Sequence, residues 1–298
     1  MAAGPPGDAV PPRDRRRRAT LAAATAPATG IGLITGTRGR LVLHPAPPGT
    51  GIRFHLGRAQ VAVGPDAARL ARYCSALALP GGGLLSMPEH LLAALSALGV
   101  DDAVAELEGQ EVPILDGSAL PWCRLVLGAG IAETAAPRSR LRLREAVELE
   151  WDGRRIRAEP AEEAHLDVSL DLAARGTIGR AGAPRDGVFV TELAPARSFG
   201  RLRWALPAAL RARILRRPLL RGASFRNTAP LVGGRILGGA RLPAEPVRHR
   251  AIDLLGDLAL LGAPLEARIT AWRPSHAMNH AFLRHLLARA ELLETVEG

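Results

Sequence analysis

Two stretches of this chain repeat one plan, and that plan limits the possible fold more than any other feature. From Glu89 to Leu107, and again from His249 to Thr270, a His-bearing helical pattern ends at a Leu-Gly step and gives way to a strand-like run. In the first stretch Leu91, Leu92, Leu95 and Leu98 fall on one helix face, and Gly99 supplies a stop. In the second, Ile252, Leu255, Ala259 and Leu260 make the apolar face ahead of Gly262. The helix lengths after each His differ, so the likeness is one of plan rather than of sequence. It hints at an α+β fold of two related halves.

The rest of the chain fits around those stretches. Arg40–His44 and Gly51–Leu56 read as strands, and Pro121–Leu127 as a helix. Pro137–Arg140 reads as a linker, followed by exposed strands over Leu141–Glu150 and His165–Leu172. Arginine-studded Pro207–Arg217 reads as a solvated helix, and His276–Leu293 as the last helix. Three parts are therefore expected: a disordered basic tail over residues 1–18, a first domain over 19–136 and a second over 137–298. The tail owes its assignment to the run Arg15–Arg18 and its lack of apolar periodicity. The uncharged stretch from Ala19 to Thr37 resembles a signal peptide in outline. Its threonines, Pro27 and three glycines suit a first strand better, so no stable membrane insertion and a cytoplasmic location are expected.

Composition removes some functions. All 39 basic residues are arginine, beside abundant Ala, Gly and Pro, a bias that fits GC-rich coding. The net charge of +10 is therefore a poor argument for nucleic acid. Aromatics make up only 3%, and no groove-reading motif is present, so no nucleic acid partner is expected. Cys74 and Cys123 are far apart and read as free buried thiols. Any metal must then be held by His and carboxylate.

The chemistry gathers on the two His-bearing helices. His249 and Asp253 stand at i and i+4, on one face, where they can grip a single ion. H-x-x-x-D is also a common solvated helix pair. Glu89-His90 offers an imidazole beside a carboxylate, although Glu at a helix start also suits the helix dipole. Asp257 lies one turn beyond Asp253, and His276 sits at a strand-to-helix junction. A hydrolytic zinc site needs three N/O ligands and an open position.

Taken in order, seven segments resemble the UDP-3-O-acyl-N-acetylglucosamine deacetylases of lipid A synthesis. They are Thr29–Leu33, Pro88–Leu95, Glu111–Ser118, Ala196–Gly200, Val247–Asp253, Gly256-Asp257 and Ser275–Asn279. The resemblance runs from about Thr20 to Leu287. It implies an α+β fold of two related α/β-sandwich halves with the active site between them, and Zn2+ held by His90, His249 and Asp253. It implies Glu89 as general base and His276 as the cation that stabilises the oxyanion and protonates the leaving amine. Asp257 would orient His276, and Ser198 falls where the family has a threonine near the oxyanion. Arg250 takes the place of a substrate-binding lysine. The implied partner is an acylated UDP-amino sugar, and the chain is expected to be a monomer.

The chain departs from that pattern in four places. Ile34 replaces a histidine. Arg250 exchanges a compact ammonium for a planar fork. Leu172–Arg175 replaces an aromatic-Asn-His-Pro stretch, and Arg226 stands where an acidic residue is usual. A paralogue deacetylating another acylated amino sugar, or a non-catalytic zinc, nucleotide-sugar or lipid sensor, are the alternatives. Glu89 and His276 both being present favours turnover.

Overall fold

The computed structural model describes residues 10, 13–171, 177–181, 188–201 and 220–298. In chain order the first half contains β1 (Arg17–Leu21), β2 (Ala28–Ile31), β3 (Arg38–Pro45), β4 (Ile52–Leu56) and β5 (Ala59–Ala62). There follow β6 (Ala68–Ala71), β7 (Cys74–Ala78), β8 (Leu84–Ser86), α1 (Glu89–Leu98), β9 (Ala103–Glu108), α2 (Leu120–Ala129) and β10 (Ile131–Pro137). The second half contains β11 (Ser139–Leu143), β12 (Val147–Trp151), β13 (Arg154–Pro160), β14 (His165–Asp171) and β15 (Thr177–Ala181). It continues through β16 (Phe199–Arg201), β17 (Ala229–Val232), β18 (Arg235–Ile236), α3 (Glu245–Leu258), β19 (Leu265–Trp272), α4 (His276–Leu287) and β20 (Leu293–Glu297).

The repeated plan is visible in the sheets. The main sheet of the first half runs β2-β3-β9-β4-β5. Its central strand β9 pairs antiparallel with β3 and parallel with β4. In the second half β19 pairs antiparallel with β13 and parallel with both β11 and β14. Each half thus follows its His-bearing helix with the strand that anchors its sheet.

The two helices meet between the sheets. Every residue of α1 except Ser96 is buried, so its sequence is apolar nearly all round, as a helix covered on both sides must be. Burial of each of Leu92 and Leu95 contributes about 1.5–3 kcal/mol. Gly99 ends α1 in the left-handed conformation, with φ of 65°. Helix α3 crosses α1 at Gly256, where a Cβ would lie 2.1 Å from the Glu89 carbonyl oxygen. The glycine is what lets the two backbones approach. One continuous buried cluster runs from Leu21 to Leu286 and joins the halves.

Three expectations need correction. The basic tail does not extend to Arg18. Strand β1 begins at Arg17 and pairs with β10, and Arg18 makes two hydrogen bonds of 2.8 Å to fully buried Asp102. Arg13 donates to the carbonyls of Leu98 and Gly99 at the end of α1. These guanidiniums find buried carboxylate and helix-end carbonyls, which an inspection of local charge could not foresee.

Pro137–Arg140 is not a linker either. Strands β10 and β11 are separated by Arg138 alone, and its guanidinium donates to Asp101 at 2.8 Å. Finally, the last helix stops at Leu287, and Leu293–Glu297 returns as β20, antiparallel to β11. The expected helix over Pro207–Arg217 and the replacement at Leu172–Arg175 lie outside the described residues.

Candidate metal centre and active site

The site forms where α1, α3 and α4 converge. Strand β7 and its hairpin deliver the chain to α1: the Met87 N–H donates to the Ser75 carbonyl at 3.0 Å. Met87 is buried and takes a φ of 66°, unusual for a side-chain-bearing residue. Glu89 and His90 then open the helix, both buried. Helix α3 carries His249, Asp253 and Asp257 on successive turns, all buried. Ser275 caps α4 by accepting from the Met278 N–H, which sets His276 at the first helical position.

His90, His249 and Asp253 each aim one ligand atom at a common point, and those atoms lie within 4.8 Å of one another. Asp253 Oδ1 is 3.3 Å from His249 Nε2 and 3.6 Å from His90 Nε2. The His249 Nδ1–H donates to the Ala196 carbonyl at 3.1 Å, so its Nε2 lone pair faces inward. Burial pushes His249 down to about 4 despite the opposing pull of Asp253, so the ring is neutral. Burial acts to raise Asp253, but His249, His276, the adjacent His90 ring at 3.6 Å and Arg250 outweigh it and hold the carboxyl well below the usual range. Asp253 Oδ1 is nevertheless a buried oxygen without a hydrogen-bond partner. An ionised, unpartnered oxygen beside two imidazole nitrogens fits a cation of zinc's ligand preference. Cys74 and Cys123 are buried thiols outside any disulfide, and burial pushes the Cys74 thiol up.

Beside this cluster stand the acid and base candidates. Burial raises Glu89 to about 7, with His276 and His90 opposing it. Glu89 Oε1 is 3.8 Å from His276 Nε2, and its Oε2 has no partner. Burial disfavours the charged His276 ring, but Asp257, Asp253 and Glu89 together raise it to about 10. The His276 Nδ1–H donates to Asp257 Oδ2 at 2.9 Å. Ser198 is buried with its Oγ 3.3 Å from His249 Nε2. All seven of these side chains are therefore brought into one site.

The matching family model, LpxC: UDP-3-O-acyl N-acetylglycosamine deacetylase, covers residues 18–288. The chain belongs to this deacetylase family. A UDP-3-O-acyl-N-acetylglucosamine deacetylase of Phenylobacterium zucineum (strain HLK1) is 38% identical over 271 residues, covering 88% of this chain and 90% of that protein. The deacetylase of the same name from Myxococcus xanthus (strain DK1622) is 34% identical, covering 90% and 85% respectively.

The departures from the deacetylase pattern occupy definite places. Arg250 donates to Asp253 Oδ2 at 2.8 Å, and its guanidinium carbon lies 4.9 Å from the centre of the Phe199 ring. Ile34 sits in a turn organised by buried Glu111, which accepts from the Ile34 and Thr35 amides at 2.7 and 3.0 Å. Arg226 is exposed.

Two sets of polar contacts go beyond what the sequence pattern marks. Fully buried Glu245, in the first turn of α3, accepts from the Arg197 backbone and guanidinium at 2.9 and 2.8 Å, pinning the segment before Ser198. Asp257 also accepts from Ser75 Oγ and Asn279 Nδ2, at 2.5 and 2.8 Å. Asn279 lies one turn from His276, a spacing that could have marked it. Ser75 is remote in sequence and could not have been marked that way.

Proposed function

We propose that this chain is a zinc-dependent deacetylase that hydrolyses the N-acetyl amide of UDP-3-O-acyl-N-acetylglucosamine and releases acetate, in lipid A biosynthesis. The observation that carries the reading is the unpartnered Asp253 oxygen set between two inward-facing imidazoles, with an acid and a base candidate beside it. His90, His249 and Asp253 would hold the zinc. When bound there, zinc would supply Lewis acidity and a water acidified to near neutral pH.

The remaining chemistry falls to the chain's own groups. Glu89, poised near neutrality, takes the proton of the attacking water. His276, held cationic by Asp257, faces the developing oxyanion and gives its Nε2 proton to the leaving amine. Ser198 offers a hydroxyl on the same side, and Arg250, one arm of which holds Asp253, is assigned to substrate binding. The reading includes work as a cytoplasmic monomer without nucleic acid. Among the described residues no helix is long and apolar enough to cross a membrane.

Release of acetate from UDP-3-O-acyl-N-acetylglucosamine by zinc-loaded protein, and not by metal-free protein, is the expected result. No release from this substrate, with release from another acylated amino sugar, would transfer the reading to a paralogue. The exchanges at Ile34 and Arg250 are the residues to examine in that case.

A further inference from the structure

Ser75 stands on β7 in the first half, fully buried. Its Oγ lies 2.5 Å from Asp257 Oδ1 and 2.7 Å from His280 Nε2, both in the second half. A serine hydroxyl has one hydrogen to give. The Ser75 hydroxyl donates to Asp257 Oδ1, while Oδ2 receives the His276 Nδ1–H and the Asn279 amide. The hydroxyl hydrogen therefore points to Asp257. The His280 nitrogen must then donate to the serine oxygen, which fixes the ring proton on Nε2. Burial lowers His280, in keeping with a neutral ring.

We propose that Ser75 and His280 are positioning residues for the Asp257–His276 pair. His280 orients the Ser75 hydroxyl, that hydroxyl anchors Asp257 Oδ1, and Oδ2 is left to aim His276. The inference rests on the acid role given to His276 above. It adds that the aim of the acid is set across the junction of the halves. Strand β7 serves both ends of the chemistry, since the carbonyl of Ser75 also holds the entry to α1 and Glu89. No proton moves along this chain of bonds; it acts by orientation.

Two measurements on the zinc-loaded full-length protein test the proposal. In the first, kcat and KM for acetate release are compared among Ser75→Ala, Ser75→Thr, His280→Leu and His280→Gln. Loss of a hydrogen bond to a charged group predicts a kcat lower by about 10- to 100-fold in Ser75→Ala, with KM and zinc content unchanged. Ser75→Thr keeps the hydroxyl and His280→Gln keeps a donor, so both should recover most of the rate relative to Ala and Leu. An unchanged kcat in Ser75→Ala, or a rise in KM alone, overturns the proposal.

The second measurement is NMR of 15N-histidine-labelled protein and needs no variant to fold. His280 should be neutral with its proton on Nε2, and an Nδ1–H tautomer or a charged ring overturns the proposal. This readout does not depend on turnover. If native protein releases no acetate, the deacetylase reading fails while the tautomer still decides the positioning of Asp257.

Discussion

In the first half the site hangs from a single helix start, where Glu89 and His90 are neighbours in sequence. In the second half it is spread over three turns of α3 and the head of α4. The first half thus contributes one proposed ligand and the proposed base as one unit, seated on a helix buried nearly all round. The second half contributes the other two proposed ligands, the proposed acid and its carboxylate partner. The contrast separates two kinds of damage. A change at the entry to α1 disturbs ligand and base together, whereas changes along α3 can affect the metal or the acid separately.

The severest test removes ligands from each half. His90→Ala, His249→Ala and Asp253→Ala should each bring zinc well below one per chain and abolish turnover, as measured by metal analysis and acetate release. Full zinc in all three variants would mean that the ion binds elsewhere. Glu89→Ala should instead keep its zinc and lose on the order of 10²- to 10⁴-fold in kcat. That outcome divides the adjacent pair of the first half into one metal group and one proton group. Native turnover in this variant would reduce Glu89 to a helix-start charge.

Two further variants address how the halves are seated. Arg18→Ala leaves fully buried Asp102 without its bidentate partner, and should cost about 3–5 kcal/mol in denaturant unfolding. A loss below 0.5 kcal/mol, as for an ordinary surface change, would return Arg18 to the status of tail. Gly256→Ala puts a methyl against the Glu89 carbonyl and should cost about 1–3 kcal/mol. Because it parts α1 from α3, kcat should fall along with stability; a stability loss at full kcat would show that the site tolerates separation of the helices.

The smallest effect expected is in the pH profile. Turnover needs Glu89 deprotonated and His276 protonated, so kcat/KM should rise on one limb and fall on the other. Without metal the two groups stand at about 7 and about 10. A bound dication favours the carboxylate and disfavours the imidazolium, so both limbs should lie below those values in the loaded enzyme. Asp257→Asn removes the largest favourable charge on His276 and should move the basic limb to still lower pH with zinc retained. An unmoved basic limb would mean that another group holds the acid.

Much of the frame could be read from the residues. The spacing of Leu91, Leu92, Leu95 and Leu98 marks α1, and the run through Ala267–Trp272 marks β19. Strands β5 to β8 gave little signal, because they are three to five residues long and β6 has no fully buried residue. Strand β20 follows directly on an apolar helical run, so its short alternation was absorbed into the helix. Within the site, His249 and Asp253 announce themselves by helical spacing. Ser75 and Asp257 are 182 residues apart, and such a contact has no period to detect.

Helix α3 bears His249, Asp253 and Asp257 along about 12 Å of its axis, and this gives the site a common axle. A small roll of that one rod would swing the ion's cage and the acid's tether through the same angle. A substitution at one turn touches one proposed role alone, whereas a movement of the whole helix would shift both together.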